Sequence, residues 1–324
     1  MAENLGLRCR PTVPGLDSFD DHAVWFREKL ASNGVHLTGG SPLDIALQAM
    51  SRVAEAKLHP PTGPNVKVDA ARFLETEDGR ARMQKELLLA VSGANLVRTI
   101  RAALAVSQTV FDRSWHLFRG RDVLVAKAGK QSKDRDLVWE LYVAAVAVGA
   151  ADAVRMDEPD VRCHVRDVSW GISCKMLNSR NSSKHVERVK EGVRQLQDSD
   201  MDRGFVAVNL TNVIDHRLLG EALRAFGENA LTQGQIMADL EAHAEALIRP
   251  FLDARFSEWL RPYDKTRALF FHANTICLAG LTLSFSTWRR WIVIRGRNPC
   301  DEAMANRFQR ATENLYCPID DPTG

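Results

Sequence analysis

No CxxC pair occurs in this chain, although six cysteines are spread along it at positions 9, 163, 174, 277, 300 and 317. Zinc knuckles and ribbons hold their metal with paired thiolates at that spacing, so the pattern argues against a site of that kind. A glycine-rich loop ending in Gly-Lys-Ser or Gly-Lys-Thr is also missing, and with it the common cradle for nucleotide phosphates. Energy-coupled action would need another subunit. Charge of one sign is scarce: 43 Lys and Arg stand against 41 Asp and Glu, for a net charge of +2. Any nucleic-acid site must therefore be a local patch. No internal repeat and no low-complexity tract is found.

The first residues, MAENLGLRCRPTVPG, contain no apolar stretch of the kind a secretory leader carries. Reduced thiols and a cytoplasmic setting are the expectation. Long hydrophobic runs are equally rare. The nearest is LVWELYVAAVAVGAADAV, residues 137–154, which Glu140 and Asp152 interrupt. A membrane span needs about twenty strongly apolar residues without such charges, so a buried core helix is expected and no membrane partner.

What is present is a chain of 324 residues, 45% apolar and 26% charged, as in ordinary globular proteins. That length suits one large domain or two ordinary ones. The N-terminal third reads as mostly helix. SFDDHAVWFREKLASNG opens at Ser18 and stops at Asn33-Gly34; SPLDIALQAMSRVAEAKL has Ser41 as its cap and Pro42 at the first helical position. HPPTGPN at 59–65 reads as a loop or linker, and residues 69–119 as further helix. The division expected is a helical N-terminal region over 1–130, a mixed α/β unit over 131–300 and a polar tail over 301–324.

The middle of the chain changes period. After a helix at 133–153, with a possible short strand near 154–156, come two alternating runs, DVRCHV and SWGISCKM, joined by a tight turn. Alternation places Val161, Cys163 and Val165 on one face, and Asp160, Arg162 and His164 on the other. In the second run Trp170, Ile172, Cys174 and Met176 share a face opposite Ser169, Gly171, Ser173 and Lys175. Asp160, Ser173 and Lys175 thus gather on one side. The helix HVERVKEGVRQLQDSD follows, with Val186, Val189, Val193 and Leu196 on one stripe, and then the strand GFVAVNLT. Residues 215–262 read as helix, and TRALFFHANT, LTLSFST and RRWIVIRG as three further strands.

Glu140 lies inside the apolar helix, where a carboxylate is costly unless paired or bound to a metal. Two carboxylates and a lysine are what metal-assisted phosphodiester hydrolysis requires: hard oxygen ligands for magnesium, and a cation for the developing anion. The order of these residues resembles the PD-(D/E)xK nuclease superfamily. EPD at 158–160 matches its PD half, GISCK at 171–175 its lysine strand, and Glu140 in VWELYVAA the glutamate on the preceding helix. Gln195, in VKEGVRQL, is the counterpart of a glutamine that some members keep. The match covers roughly residues 133–212 and departs at Ser173, where an acidic residue is usual.

The resemblance implies an α/β fold with a restriction-endonuclease-like mixed sheet flanked by helices, and a magnesium- or manganese-dependent nuclease acting on DNA. It implies Asp160, Lys175, Glu140 and Ser173 at the catalytic position, with Asp160, Glu140 and the Cys174 carbonyl as metal ligands. His164, Arg162, Lys184 and Gln195 are expected toward the substrate, and a protein partner or a second copy on the helical N-terminal region. Each signal has a plainer alternative: Glu140 as an ion-pair partner, His164 as an exposed strand residue, residues 178–184 as a connector. Trp288 and Trp291 among Arg289 and Arg290 read either as a stacking surface or as a strand burying Trp291. The alternative function is a degenerate member that binds nucleic acid or a protein without cutting.

Overall fold

The computed structural model describes residues 4–5, 18–55, scattered positions between 86 and 118, and residues 133–179, 181–214, 233–279, 282–294 and 299–316. The linker expected at 59–65 and most of the helix expected at 69–119 lie outside them. Helices α1 (Ser18–Ser32) and α2 (Pro42–Glu55) form where the cap signals put them. The Ser41 hydroxyl accepts from the Asp44 N–H at 3.3 Å, so the cap satisfies one of the helix's orphan donors. Asp44 in turn pairs with Arg27 at 2.8 Å and ties the two helices together.

Helix α3 (Lys133–Ala150) follows, then strands β2 (Ala153–Asp157), β3 (Asp160–Val165) and β4 (Val168–Met176). Helix α4 (Ser182–Asp198) crosses to β5 (Arg203–Asn209). Asn181 caps α4, accepting from the Ser183 N–H at 2.9 Å, which gives the polar connector after β4 a structural task. Helices α5 (Gln233–Leu252) and α6 (Ala254–Leu260), strands β6 (Thr266–Ala279) and β7 (Thr282–Val293), and helix α7 (Pro299–Tyr316) complete the order. With the two-residue β1 (Asn4–Leu5), the sheet runs β1-β7-β6-β5-β4-β3-β2. The β4–β5 and β5–β6 pairs are parallel and the others antiparallel, so the sheet is mixed.

Both faces are covered. On one, Val161, Cys163, Trp170, Ile172 and Phe270 join a buried cluster with α3, α7, α1 and α2. On the other, Val206, Val208 and Phe271 pack under Val189, Val193 and Leu196 of α4 and under α5. The N-terminal helices therefore share one core with the α/β unit. Among the described residues no helix is long and apolar enough to cross a membrane; the apolar run expected as a core helix is α3.

Two expectations need correction, and one choice between readings is settled. The described residues of LTLSFST and RRWIVIRG belong to one strand, β7, which runs unbroken from Thr282 to Val293. The C-terminal tail is a helix up to Tyr316, with Met304, Ala305, Phe308 and Ala311 buried at helical spacing against the sheet and α3. The stacking surface, one of two readings of this strand, gives way to the other, a strand that buries Trp291: Trp288 and Trp291 are both buried, the Trp291 and Phe270 ring centroids are 4.8 Å apart, and Arg290 pairs with Glu245.

Helix α4 lies very close to the sheet, and glycines permit it. A Cβ on Gly204 would stand 2.5 Å from the Gly171 carbonyl oxygen and 2.6 Å from Leu196 Cδ2. Backbone cannot give way as a flexible side chain can. Gly204→Ala should lower the urea midpoint, with the m-value unchanged, by the equivalent of about 1–3 kcal/mol of overpacking. A midpoint equal to that of the parent would show that the contact yields.

Candidate active site

The β3–β4 ladder ends at the pair Val161↔Ile172. Beyond it β4 continues while the chain before β3 turns away at Pro159. The next β4 group on that side, the Cys174 N–H, donates instead to Asp160 Oδ2 at 2.6 Å. A strand residue's N–H and C=O point to the same side, so the Cys174 carbonyl faces this same gap. Ser173 and Lys175 project to the opposite face, under α4, and both are buried.

There the carboxamide of Gln195, on α4, joins the pieces. Its Oε1 accepts from Lys175 Nζ and from the Ser173 hydroxyl, each at 2.7 Å. Its Nε2 donates to the Pro159 carbonyl at 2.6 Å, to Glu158 Oε1 at 2.8 Å and to Asp160 Oδ1 at 3.3 Å. These partners fix the amide orientation, since the flipped form would set an NH2 against the lysine ammonium. Lys175 Nζ also lies 3.4 Å from Asp160 Oδ2.

Glu140, half-buried on α3, couples electrostatically to the same groups. Burial first, and then the charge of Asp160, push its carboxyl up to about 7, with Lys175 opposing. Burial also raises Asp160, against the pull of Lys175 and of the Cys174 N–H. One turn before Glu140, Asp136 pairs with Arg188 of α4 at 3.4 Å. Arg188 also holds Glu191 at 2.8 Å, and its charge is felt at Glu140.

The geometry thus brings Asp160, Ser173, Lys175, Gln195 and the Cys174 backbone together, with Glu140 near enough to couple to the charges of Asp160 and Lys175. It does not bring His164 there. That residue lies at the far end of the hairpin, opposite Ser169 and exposed, about 13 Å along β3 from Asp160 at strand rise. Arg162 is engaged elsewhere, with Asp200 at 2.9 Å and the Glu158 carbonyl. Lys184 sits exposed in the first turn of α4. Asp136, Arg188 and the Glu158 side chain were missed. Asp136 stands at i−4 from Glu140 on one helix face, and that spacing was the available signal.

Ser173 has a structural reason. A Cβ on Gly192 would stand 2.9 Å from Val206 Cγ1, 3.1 Å from Ser173 Oγ and 3.3 Å from Lys175 Cε. Helix α4 packs so tightly that a glutamate at 173 would have to displace the Gln195 amide.

A divalent cation fits the donor set in kind. Magnesium takes one or two carboxylates and keeps several waters, and Asp160, Glu140 and the Cys174 carbonyl supply such a set. Among the described residues no group of three or more His, Cys, Asp or Glu side chains converges as a metal cage. Burial, with the charges of Asp160 and Glu140, raises the Cys174 thiol well above its usual range, so its sulfur is not a thiolate ligand. No family model matches the chain, and neither a curated protein nor a solved structure matches it.

The raised Glu140 gives a signed pH effect. Its folded value, about 7, exceeds the ordinary glutamate value of 4.5. The folded state therefore binds more protons across that window, and metal-free stability falls as pH rises through it. Glu140→Gln should raise the melting temperature of the metal-free protein above pH 7 and change it little near pH 5. An equal shift at both pH values would refute the buried-charge account.

Proposed function

We propose that the chain is a metal-dependent nuclease of the PD-(D/E)xK kind, hydrolysing phosphodiester bonds in DNA at the β3–β4 end of the sheet. The observation that supports it is the convergence on one gap of Asp160, Lys175 and the Cys174 carbonyl, with a half-buried helix carboxylate, Glu140, near enough to feel the charges of Asp160 and Lys175. A bound magnesium or manganese would supply an activated water and neutralise charge on the scissile phosphate. Asp160 and Glu140 would hold it, with the Cys174 carbonyl between them.

The chain's own groups have separate tasks in this reading. Lys175, buried and fixed by Gln195 Oε1, offers a positive charge toward an anion forming in the gap. Gln195 keeps the ammonium from collapsing fully onto Asp160, leaving that carboxylate available. Its Nε2 also fixes the Pro159 carbonyl and so the direction in which Asp160 enters the gap. Arg188 and Asp136 hold α3 against α4 and set the approach of Glu140.

One observation favours a second reading, a non-catalytic nuclease-fold subunit that binds nucleic acid or a protein. The Gln195 amide oxygen accepts from both Lys175 and the uncharged Ser173, so these groups are met without a metal ion.

Cleavage separates the two. The full chain should cut plasmid DNA in magnesium or manganese and stop on chelation. Lys175→Ala should lower kcat by about 10²–10³-fold, the usual effect of removing one charge-stabilising donor, with metal binding retained by calorimetry. Asp160→Ala should lose both metal binding and cleavage. Ser173→Glu should lose stability and not gain activity, because the Gln195 amide stands in its way. DNA binding without cleavage in either metal, unchanged by Asp160→Ala, would leave only the second reading.

A further inference from the structure

An α-helix turns about 100° per residue and rises about 1.5 Å. Measured from Gln195, Arg188 and Lys184 therefore return to within about 20° of the same direction, about 10 Å and 16 Å along the α4 axis. Gln195 lies in the candidate cleft, so this row leads straight out of it along the helix. Both upstream members are cations. Lys184 is exposed, and the Arg188 side chain keeps 29% of its surface in solvent. Glu191 lies in the row as well, bonded to Arg188 Nη1 at 2.8 Å, and Asp136 takes Nη2 at 3.4 Å. Those contacts engage two of the five N–H groups of the guanidinium.

The other cations of α4 are used differently. Lys190 pairs with Glu187 at 3.0 Å and lies 5.0 Å over the ring of Trp259, and Arg194 lies 5.7 Å over that ring. They fasten α6 to α4 on the side away from the row. The row also runs toward the N-terminal, positive end of the α4 dipole, which favours anions.

We propose that Lys184 and Arg188 form a track for phosphates, carrying the sugar–phosphate backbone of the substrate strand along α4 away from the cleft. The proposal rests on the nuclease reading for the identity of its ligand, but not on catalysis. A contact of this kind adds affinity without sequence information, and its signature is the salt dependence of binding.

The test uses the full chain, a labelled DNA duplex and a chelator, so that nothing is cut. Fluorescence anisotropy across a salt series gives the slope of log K against log salt. Each phosphate contact contributes about 0.9 to that slope on duplex DNA. Lys184→Ala and Arg188→Ala should each reduce it by about 0.9, and the double variant by about 1.8. Arg188→Lys should keep the wild-type slope. Lys190→Ala, which removes the same charge from the opposite side of α4, should leave it unchanged. Lys184 is exposed and its variant keeps the test open should Arg188→Ala fail to fold. Wild-type slopes in Lys184→Ala and Arg188→Ala, or no DNA binding by the parent chain, would overturn the proposal. Reduced slopes in a chain that never cuts DNA in magnesium or manganese would uphold the track and reject the nuclease.

Discussion

The Gln195 carboxamide bridges a lysine and a carboxylate that the fold has taken out of water. Lys175 is 7% exposed, and a buried ammonium is costly unless its donors are met. Direct pairing with Asp160 at 3.4 Å is long for a strong charge-assisted bond. The 2.7 Å contact to Gln195 Oε1 does most to satisfy it. Through the other end of the same amide, the position of the lysine becomes coupled to that of Pro159, Glu158 and Asp160. Remove the amide and the ammonium, the Asp160 carboxylate and the Ser173 hydroxyl must each find new partners in a space closed by α4.

That amide can act only because α4 comes down onto the sheet, and the approach is written in small residues. Gly192 on the helix meets Ser173 and Lys175; Gly171 and Gly204 on the strands meet Leu196 of α4. Any side chain at these positions would lift the helix and carry Gln195 out of reach. Ser173 belongs to this set. Against a family pattern it is a missing acid; against its neighbours it is a small, fully buried group that leaves room for Gln195. The identity of residue 173 and the closeness of α4 are one constraint seen from two elements.

This distinction marks what the sequence could and could not disclose. The hairpin, α4 and β5 were legible because alternation and helical period are local signals, and the register then put Asp160 opposite the lysine strand without further information. Glu140 was legible because a carboxylate in an apolar helix is conspicuous. The clasp between Asp136 and Arg188 was not, since it joins residues 52 apart that look like ordinary surface charges. His164 misled for a related reason. It shares the face of Asp160 by alternation, yet strand rise carries it away from the gap, and a face is not a site. The continuous β7 and the helix α7 were missed where apolar residues are diluted by polar ones, so their burial depends on partners distant in the chain.

The remaining question is one of charge. Around the gap stand Asp136, Glu140, Glu158 and Asp160, answered by Lys175 and Arg188. Arg188 is shared with Asp136 and Glu191 through two of its donors. An excess of partly desolvated carboxylate has two physical remedies, a proton or a cation. The protonation of Glu140 up to about 7 is the first remedy, and burial is its leading cause. A divalent ion is the second, and it must displace that proton to bind. On the proposed reading the two would compete at one carboxylate, so metal affinity would rise with pH, by up to one proton released for each ion bound while Glu140 is still titrating. A subunit that had lost its metal would gain nothing from keeping Glu140 ionisable. In such a chain the buried carboxylate would only destabilise the fold above neutrality, and a glutamine there would be the better residue. A titratable acid at 140, coupled to the charges of Asp160 and Lys175, is thus the feature of this cluster that the proposed cation would answer.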